Sequence, residues 1–179
     1  MISLAKMLAT AVFGTLLTGI SAQAQVMIDY DHTINFAKYK SYTLQKVHAT
    51  EPKVEQAITI ALDRNLKARY LHPDSNGEII IAVVEADQDK QEYPAFYSSL
   101  GGLAWQRGWA SDGFLDTMAT PSDIPPGTLV IDMWDRKTQK LIWRGEVNEV
   151  LTGDGSKNGQ KMDKAVGELL GKFPPKFKK

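Results

Sequence analysis

From Gly127 to Val150 the chain alternates apolar and polar positions with a period of two, the spacing of strands buried on one face. Leu129, Ile131 and Met133 fall on one side of a first strand, and Val130, Asp132 and Trp134 on the other. Residues 135–140 form a polar hinge of hairpin length. The return strand places Leu141, Trp143, Gly145 and Val147 on one face, with Ile142, Arg144, Glu146 and Asn148 opposite. Burying such Trp, Leu, Ile and Val side chains contributes roughly 1.5–3 kcal/mol each, so one face must be covered. A lone hairpin is marginal in water, and the rest of the chain has to supply the cover.

It does so in two ways. Val26, Ile28 and Tyr30 alternate with Met27, Asp29 and Asp31, which predicts a first strand. Phe36, Tyr39 and Tyr42 lead through a turn into a second strand over residues 41–47. Residues 78–86 are a continuous β-branched run, the pattern of a central strand buried on both faces. Helical spacing appears at Val54, Ile58, Ala61, Leu62 and Leu66, after Thr50 and Pro52 as start signals, and predicts a helix to about Tyr70, ahead of Pro73. A second helical stripe runs through Met162, Ala165, Val166, Leu169, Leu170 and Phe173 and halts at Pro174-Pro175. The pattern predicts an α+β fold of two layers, a mainly antiparallel sheet of about five strands with two amphipathic helices on one face. It occupies residues 25–175 as a single domain, with an irregular insertion over 87–126 and a short basic tail over 176–179.

Composition narrows the setting. The chain has 179 residues, 43% of them hydrophobic, enough for one domain with a sizeable core. Basic and acidic residues balance at 21 each, which argues against a nucleic-acid partner. The chain has no cysteine, which excludes disulfides, thiolate metal ligands, thiol catalysis and a lipid-modified cysteine. Lys6, an apolar run over residues 7–20 and the small-x-small ending at Ala24 make a secretory leader over 1–24. The run is shorter than the roughly 20 residues a spanning helix needs. With no second apolar span, the mature chain is expected to be exported, soluble, and periplasmic or secreted.

Chemistry is sparse. There is no Gly-x-Ser-x-Gly elbow, His-Glu-x-x-His pair or Gly-x-Gly-x-x-Gly turn, and residues 152–159 have the glycines of a phosphate loop without its Gly-Lys-Ser/Thr ending. Asp29, Asp31 and His32 invite a metal reading, but His32 points away from the two aspartates and no second ligand pair follows. No catalytic residue, metal site or cofactor is assigned. Asp132, Asp135, Glu146 and Glu149 sit on or beside the hairpin, where strand-face carboxylates are ordinarily solvated; a small hydrolase built on acids near Trp134 and Trp143 is the alternative function. The insertion mixes Tyr93, Phe96, Tyr97, Trp105 and Trp109 with glycines and shows no period. Those five aromatics are the candidate contacts for an envelope-protein or cell-wall partner, in a non-enzymatic binding or accessory module, unless they only cap the sheet. Oligomeric state is not legible.

A set of short segments carries a family resemblance: Asp29-Tyr30-Asp31, Phe36, Tyr39-Lys40-Ser41-Tyr42, the run from Gly127 to Asp132, Asp135, Trp143-Arg144-Gly145, Ala165-Val166 and Phe173-Pro174-Pro175. In this order they resemble the bacterial domain of unknown function 4136 family of exported and lipid-anchored envelope proteins. The resemblance implies export and the fold, and brings no catalytic residues. Many relatives carry a lipid-accepting cysteine that is absent here, which implies a soluble form. The middle, residues 87–126, matches only in being rich in aromatics and glycine.

Overall fold

Strand β4 (Ile79–Glu85) is buried along its whole length, as its unbroken β-branched run predicts. In this computed structural model, which describes residues 25–86, 124–148, 150 and 157–174, it lies inside a six-stranded sheet. The other strands are β1 (Val26–Tyr30), β2 (Ser41–His48), β3 (His72–Pro73), β5 (Leu129–Asp135) and β6 (Leu141–Val147). Their order across the sheet is β1-β6-β5-β4-β2-β3. The β5–β6 hairpin anchors the antiparallel half, with β1 beside β6 and β4 beside β5. The sheet is more mixed than the alternation alone predicts, since β2 pairs with β4, and β3 with β2, in parallel. Parallel neighbours need a crossover, and helix α1 (Pro52–Lys67) supplies it between β2 and β4. The sixth strand, β3, has only two residues and is too short to leave a periodic trace.

Helix α1 buries Val54, Ile58, Ala61, Leu62 and Leu66, the stripe that its spacing predicts, with Pro52 in its first turn. It stops at Lys67, short of Tyr70, because Tyr70 turns the chain in the left-handed region at φ 62° and Leu71 N–H bonds back to Leu66 C=O. Helix α2 (Asn158–Gly171) buries Met162, Ala165, Val166, Leu169 and Leu170. The two helices run side by side in the same direction. Asn158 lies near Glu51 at their starts, Arg64 pairs with Asp163 at 2.7 Å, and Arg69 Nε donates to Phe173 C=O at 2.7 Å past their ends.

Both helices pack on one face of the sheet, over Ile79, Ile81, Val83, Leu129, Ile131, Met133, Trp143 and Val147. Phe173 stands edge-on to Trp143 at 5.7 Å and to Phe36 at 5.6 Å, closing that core below α2. The hairpin contains a register shift: Met133 pairs with Trp143, but Trp134 pairs with Leu141. Ile142 is the extra residue, and it joins the helix-side core in place of Leu141. Trp143 pairs with Met133 and shares its face, so Trp134, the next residue, lies on the opposite one; this corrects the picture of acids gathered around both tryptophans. The second face, carrying Val84, Val130, Asp132, Trp134 and Glu146, is buried too. Residues 1–24, including the expected leader, lie outside the described residues, as do Tyr93, Phe96, Tyr97, Trp105, Trp109 and Glu149. Among the described residues no helix is long and apolar enough to cross a membrane.

Candidate functional site

An open cleft of about 480 Å³ sits at the sheet end where β2 and β4 begin and β5 finishes. Three separate stretches build it: Lys38 and Tyr39 after a turn of 3₁₀ helix (Phe36–Lys38), Asn76 and Glu78 from the β3–β4 turn, and Asp135, Arg136 and Lys137 from the hairpin hinge. Asn35 caps the 3₁₀ turn by accepting from Ala37 N–H at 3.1 Å, and Tyr39 N–H closes the turn on Phe36 C=O at 3.2 Å.

Asp135 is the hub of the floor. Its carboxylate accepts from the Tyr39 hydroxyl at 2.6 Å and from Thr138 through the backbone N–H at 2.8 Å and the hydroxyl at 3.1 Å. The Lys38 ammonium stands 3.6 Å from it and 4.6 Å from the centre of the Tyr39 ring. Burial pushes the Asp135 carboxyl up, but the donors from Tyr39 and Thr138, with the Lys38 charge, outweigh it and hold the group below the usual range. Burial, followed by the bond to Asp135, pushes the Tyr39 hydroxyl far above its ordinary value. At neutral pH the pair is thus a fixed carboxylate and a fixed phenol.

Arg136 is fastened at both ends. Its backbone N–H donates to Glu78 C=O at 2.9 Å, Nε donates to Gly77 C=O at 2.6 Å, and Nη2 donates to Thr43 Oγ1 at 2.6 Å. These acceptors are all neutral, and among the described residues no carboxylate lies within ion-pair distance of the guanidinium. Gly77 is required beneath it, since a Cβ there would run into the Tyr42 and Thr43 backbone. Glu78 Oε2 accepts from Lys40 and Ser41 N–H at 2.6 and 3.3 Å, so this carboxylate also holds the start of β2.

A second ionic group lies inside the sheet. Asp132 and Arg144 face each other across β5 and β6 with neither side chain exposed, joined through Nε–Oδ1 and Nη2–Oδ2. Glu146 Oε1 lies 4.0 Å from Arg144 Nη1 and makes no hydrogen bond. Burial raises the Glu146 carboxyl, Arg144 partly offsets this, and Asp132 adds to it. Asp132 and Glu146 are therefore buried and not solvated acids. The expectation failed because the sheet is covered on both faces, a property that alternation on one strand does not report.

The remaining candidates disperse. Asp31 folds over its own turn, accepting from Thr33 N–H and Oγ1 at 2.8 and 2.6 Å. Asp29 accepts from Tyr30 N–H at 2.9 Å, and His32 lies against the Tyr30 ring at 4.3 Å. Among the described residues no three His, Asp or Glu side chains are placed to hold a metal. The cleft was missed in the sequence because its residues come from positions 38–39, 76–78 and 135–137, and nothing local links them.

Residues 26–175 match the family model described as Domain of unknown function (DUF4136). No curated protein matches the chain. Among solved structures it is similar to a PDZ domain protein from Parabacteroides distasonis, at 13% identity and a TM-score of 0.49, over 86% of this chain. The chain spans only 37% of that protein's length. It is also similar to the PelC dodecamer from Paraburkholderia phytofirmans, at 8% identity and a TM-score of 0.45, over 83% of this chain and 95% of that one.

Proposed function

The chain belongs to the domain of unknown function 4136 family, and from that premise we propose that it is an exported, non-enzymatic binding module of the cell envelope whose binding face is the cleft around Arg136. One observation carries this reading. The ionisable groups on the cleft floor are tied to one another, with Asp135 held ionised and Tyr39 held neutral, so neither is poised to exchange a proton near pH 7. Fixed donors and acceptors on an open wall suit recognition. A volume of about 480 Å³ falls within the roughly 300–1,000 Å³ of small-molecule sites.

The rival, a hydrolase using acids near the hairpin tryptophans, is disfavoured by the ionic group inside the sheet, since Asp132 is sealed against Arg144 with no exposed side-chain surface. An Asp132→Asn variant that abolished a measured hydrolysis without loss of fold would revive it. Export rests on the leader over residues 1–24, and N-terminal sequencing of envelope material should begin at Gln25; a start at Met1 would count against it. Binding is tested in cells with a photo-crosslinking residue in place of the exposed Asn76 on the cleft rim or, on the helix layer, of Lys164. Adducts at 76 and none at 164 support the cleft. The same pair of positions in a Trp105→Ala/Trp109→Ala background asks whether those aromatics contribute. Equal labelling at both positions would sink the assignment of the binding face.

A further inference from the structure

We infer that the cleft recognises an oxyanion, a carboxylate or phosphate group on a small polar ligand, through Arg136 and Lys137. The inference rests on the cleft being the binding face and adds the chemistry of what it takes. Four observations lead to it.

The first is how Arg136 is held. Bonds from its backbone N–H, Nε and Nη2 to Glu78, Gly77 and Thr43 fix the plane of the guanidinium before any ligand arrives. Most of the rotamer entropy that a free arginine loses on binding is therefore already spent. The second is what is left over. Nη1 makes no hydrogen bond among the described residues, and Nη2 uses one of its two N–H groups on Thr43, so donors of the fork remain for a ligand. Adjacent donors on a planar guanidinium match the spacing of two oxygens on a carboxylate or phosphate.

The third is charge. Arg136 is half-buried, yet the acceptors it touches are a carbonyl and a hydroxyl, both neutral. A partly desolvated cation lacking a counter-ion gains more from an incoming anion than one already paired. Lys137 follows it on the same wall, exposed and without an ion pair among the described residues. The fourth is the state of the two acids that share the cleft. Asp135 is saturated by Tyr39, Thr138 and Lys38, and Glu78 spends Oε2 on two backbone N–H groups. Three cations stand against these two engaged carboxylates, and the surplus charge lies at the hinge.

The test is titration of the purified chain with sodium phosphate and, separately, sodium acetate at constant ionic strength, following backbone amide shifts by NMR. Saturable shifts are expected at Asn76, Gly77, Arg136 and Lys137, with none at Lys164 on α2. A larger response to phosphate identifies a phosphate-bearing ligand, and a larger response to acetate a carboxylate. Lys137→Gln, which removes an exposed charge and disturbs no packing, should weaken the apparent affinity at least about fivefold. Arg136→Lys keeps the charge and loses the fork, and it should weaken binding at least about tenfold. Shifts that fail to saturate, or that survive both substitutions, overturn the inference. Crosslinking confined to position 76, with Arg136 and Lys137 intact, would then still uphold the cleft as the binding face, with a ligand of other chemistry.

Discussion

Arg144 and Asp132 face each other across the β5–β6 hairpin as a two-point ion pair with neither side chain exposed. Removing charges from water is costly, and the pair is tolerated because its geometry is good. Breaking it is therefore worse than replacing it. Asp132→Ala should cost about 3–5 kcal/mol by leaving a buried guanidinium short of its main counter-ion. The double variant Asp132→Leu/Arg144→Met, made together with Glu146→Gln so that no buried carboxylate is left beside the lost guanidinium, should recover most of that loss. Urea unfolding of the wild type, the single and the combined variant decides the matter, and a combined variant no better than the single one would show that the pair is not the cause.

Gly145 and Gly167 should respond in opposite directions to the same change. A Cβ at Gly145 would fall 2.7 Å from Leu169 Cδ2 and 3.0 Å from Trp143 Cζ3, in the seam where β6 meets α2. Gly145→Ala is expected to cost about 1–3 kcal/mol through overpacking. Gly167 lies inside α2, and a methyl carbon added there would have nothing within 4 Å, so Gly167→Ala should stabilise by about 0.5–1 kcal/mol. Thermal midpoints of the two variants check this, and movement in the same direction would contradict the packing described.

The Tyr39–Asp135 bond makes a signed statement about pH. Burial raises the Asp135 carboxyl, but Tyr39, Thr138 and Lys38 together bring it below its ordinary value in the fold. A lowered carboxyl stabilises the fold above its unfolded value, about 3.9, and the contribution fades as the pH falls through the folded value. Tyr39→Phe should cost about 0.5–1.5 kcal/mol at pH 7 and less in acid, where the carboxyl is protonated and wild type and variant converge. A difference between the two proteins that stayed constant from pH 7 until the Asp135 carboxyl itself, followed by NMR, had taken up its proton would exclude this linkage.

How far the letters carried is visible in particular residues. The stripes Val54–Ile58–Ala61–Leu62–Leu66 and Met162–Ala165–Val166–Leu169–Leu170 read directly as helix faces, because a period near 3.6 over four turns has few other causes. The continuous run ahead of Ala86 read directly as the central strand. The pairing Asp132–Arg144 has a signal in the letters: opposite charges on the two arms of one hairpin, Asp132 between Ile131 and Met133 and Arg144 after Ile142 and Trp143. Ile142 hid the true faces, since one extra residue in the return strand reverses the alternation before it. The parallel pairing of β2 with β4 and the convergence of Tyr39, Glu78 and Arg136 depend on where a crossover helix returns the chain. No local pattern contains that information.

Glu146 offers the sharpest contest between burial and attraction. Its side chain is 1% exposed, its Oε1 accepts no hydrogen bond, and Arg144 Nη1 stands 4.0 Å away. Burial dominates and raises the carboxyl, Arg144 opposes this, and the Asp132 charge reinforces the rise. An acid raised in the fold leaves stability fully present below its unfolded value, about 4.3, and removes it as the pH climbs through the folded value. Glu146→Gln keeps the shape and cannot ionise. The variant should match the wild type near pH 4 and exceed it at pH 7, with the gap opening between those limits. Urea midpoints measured across that range read the gap directly. A glutamine variant less stable than wild type at pH 7 would mean that attraction to Arg144 outweighs the cost of burying the charge.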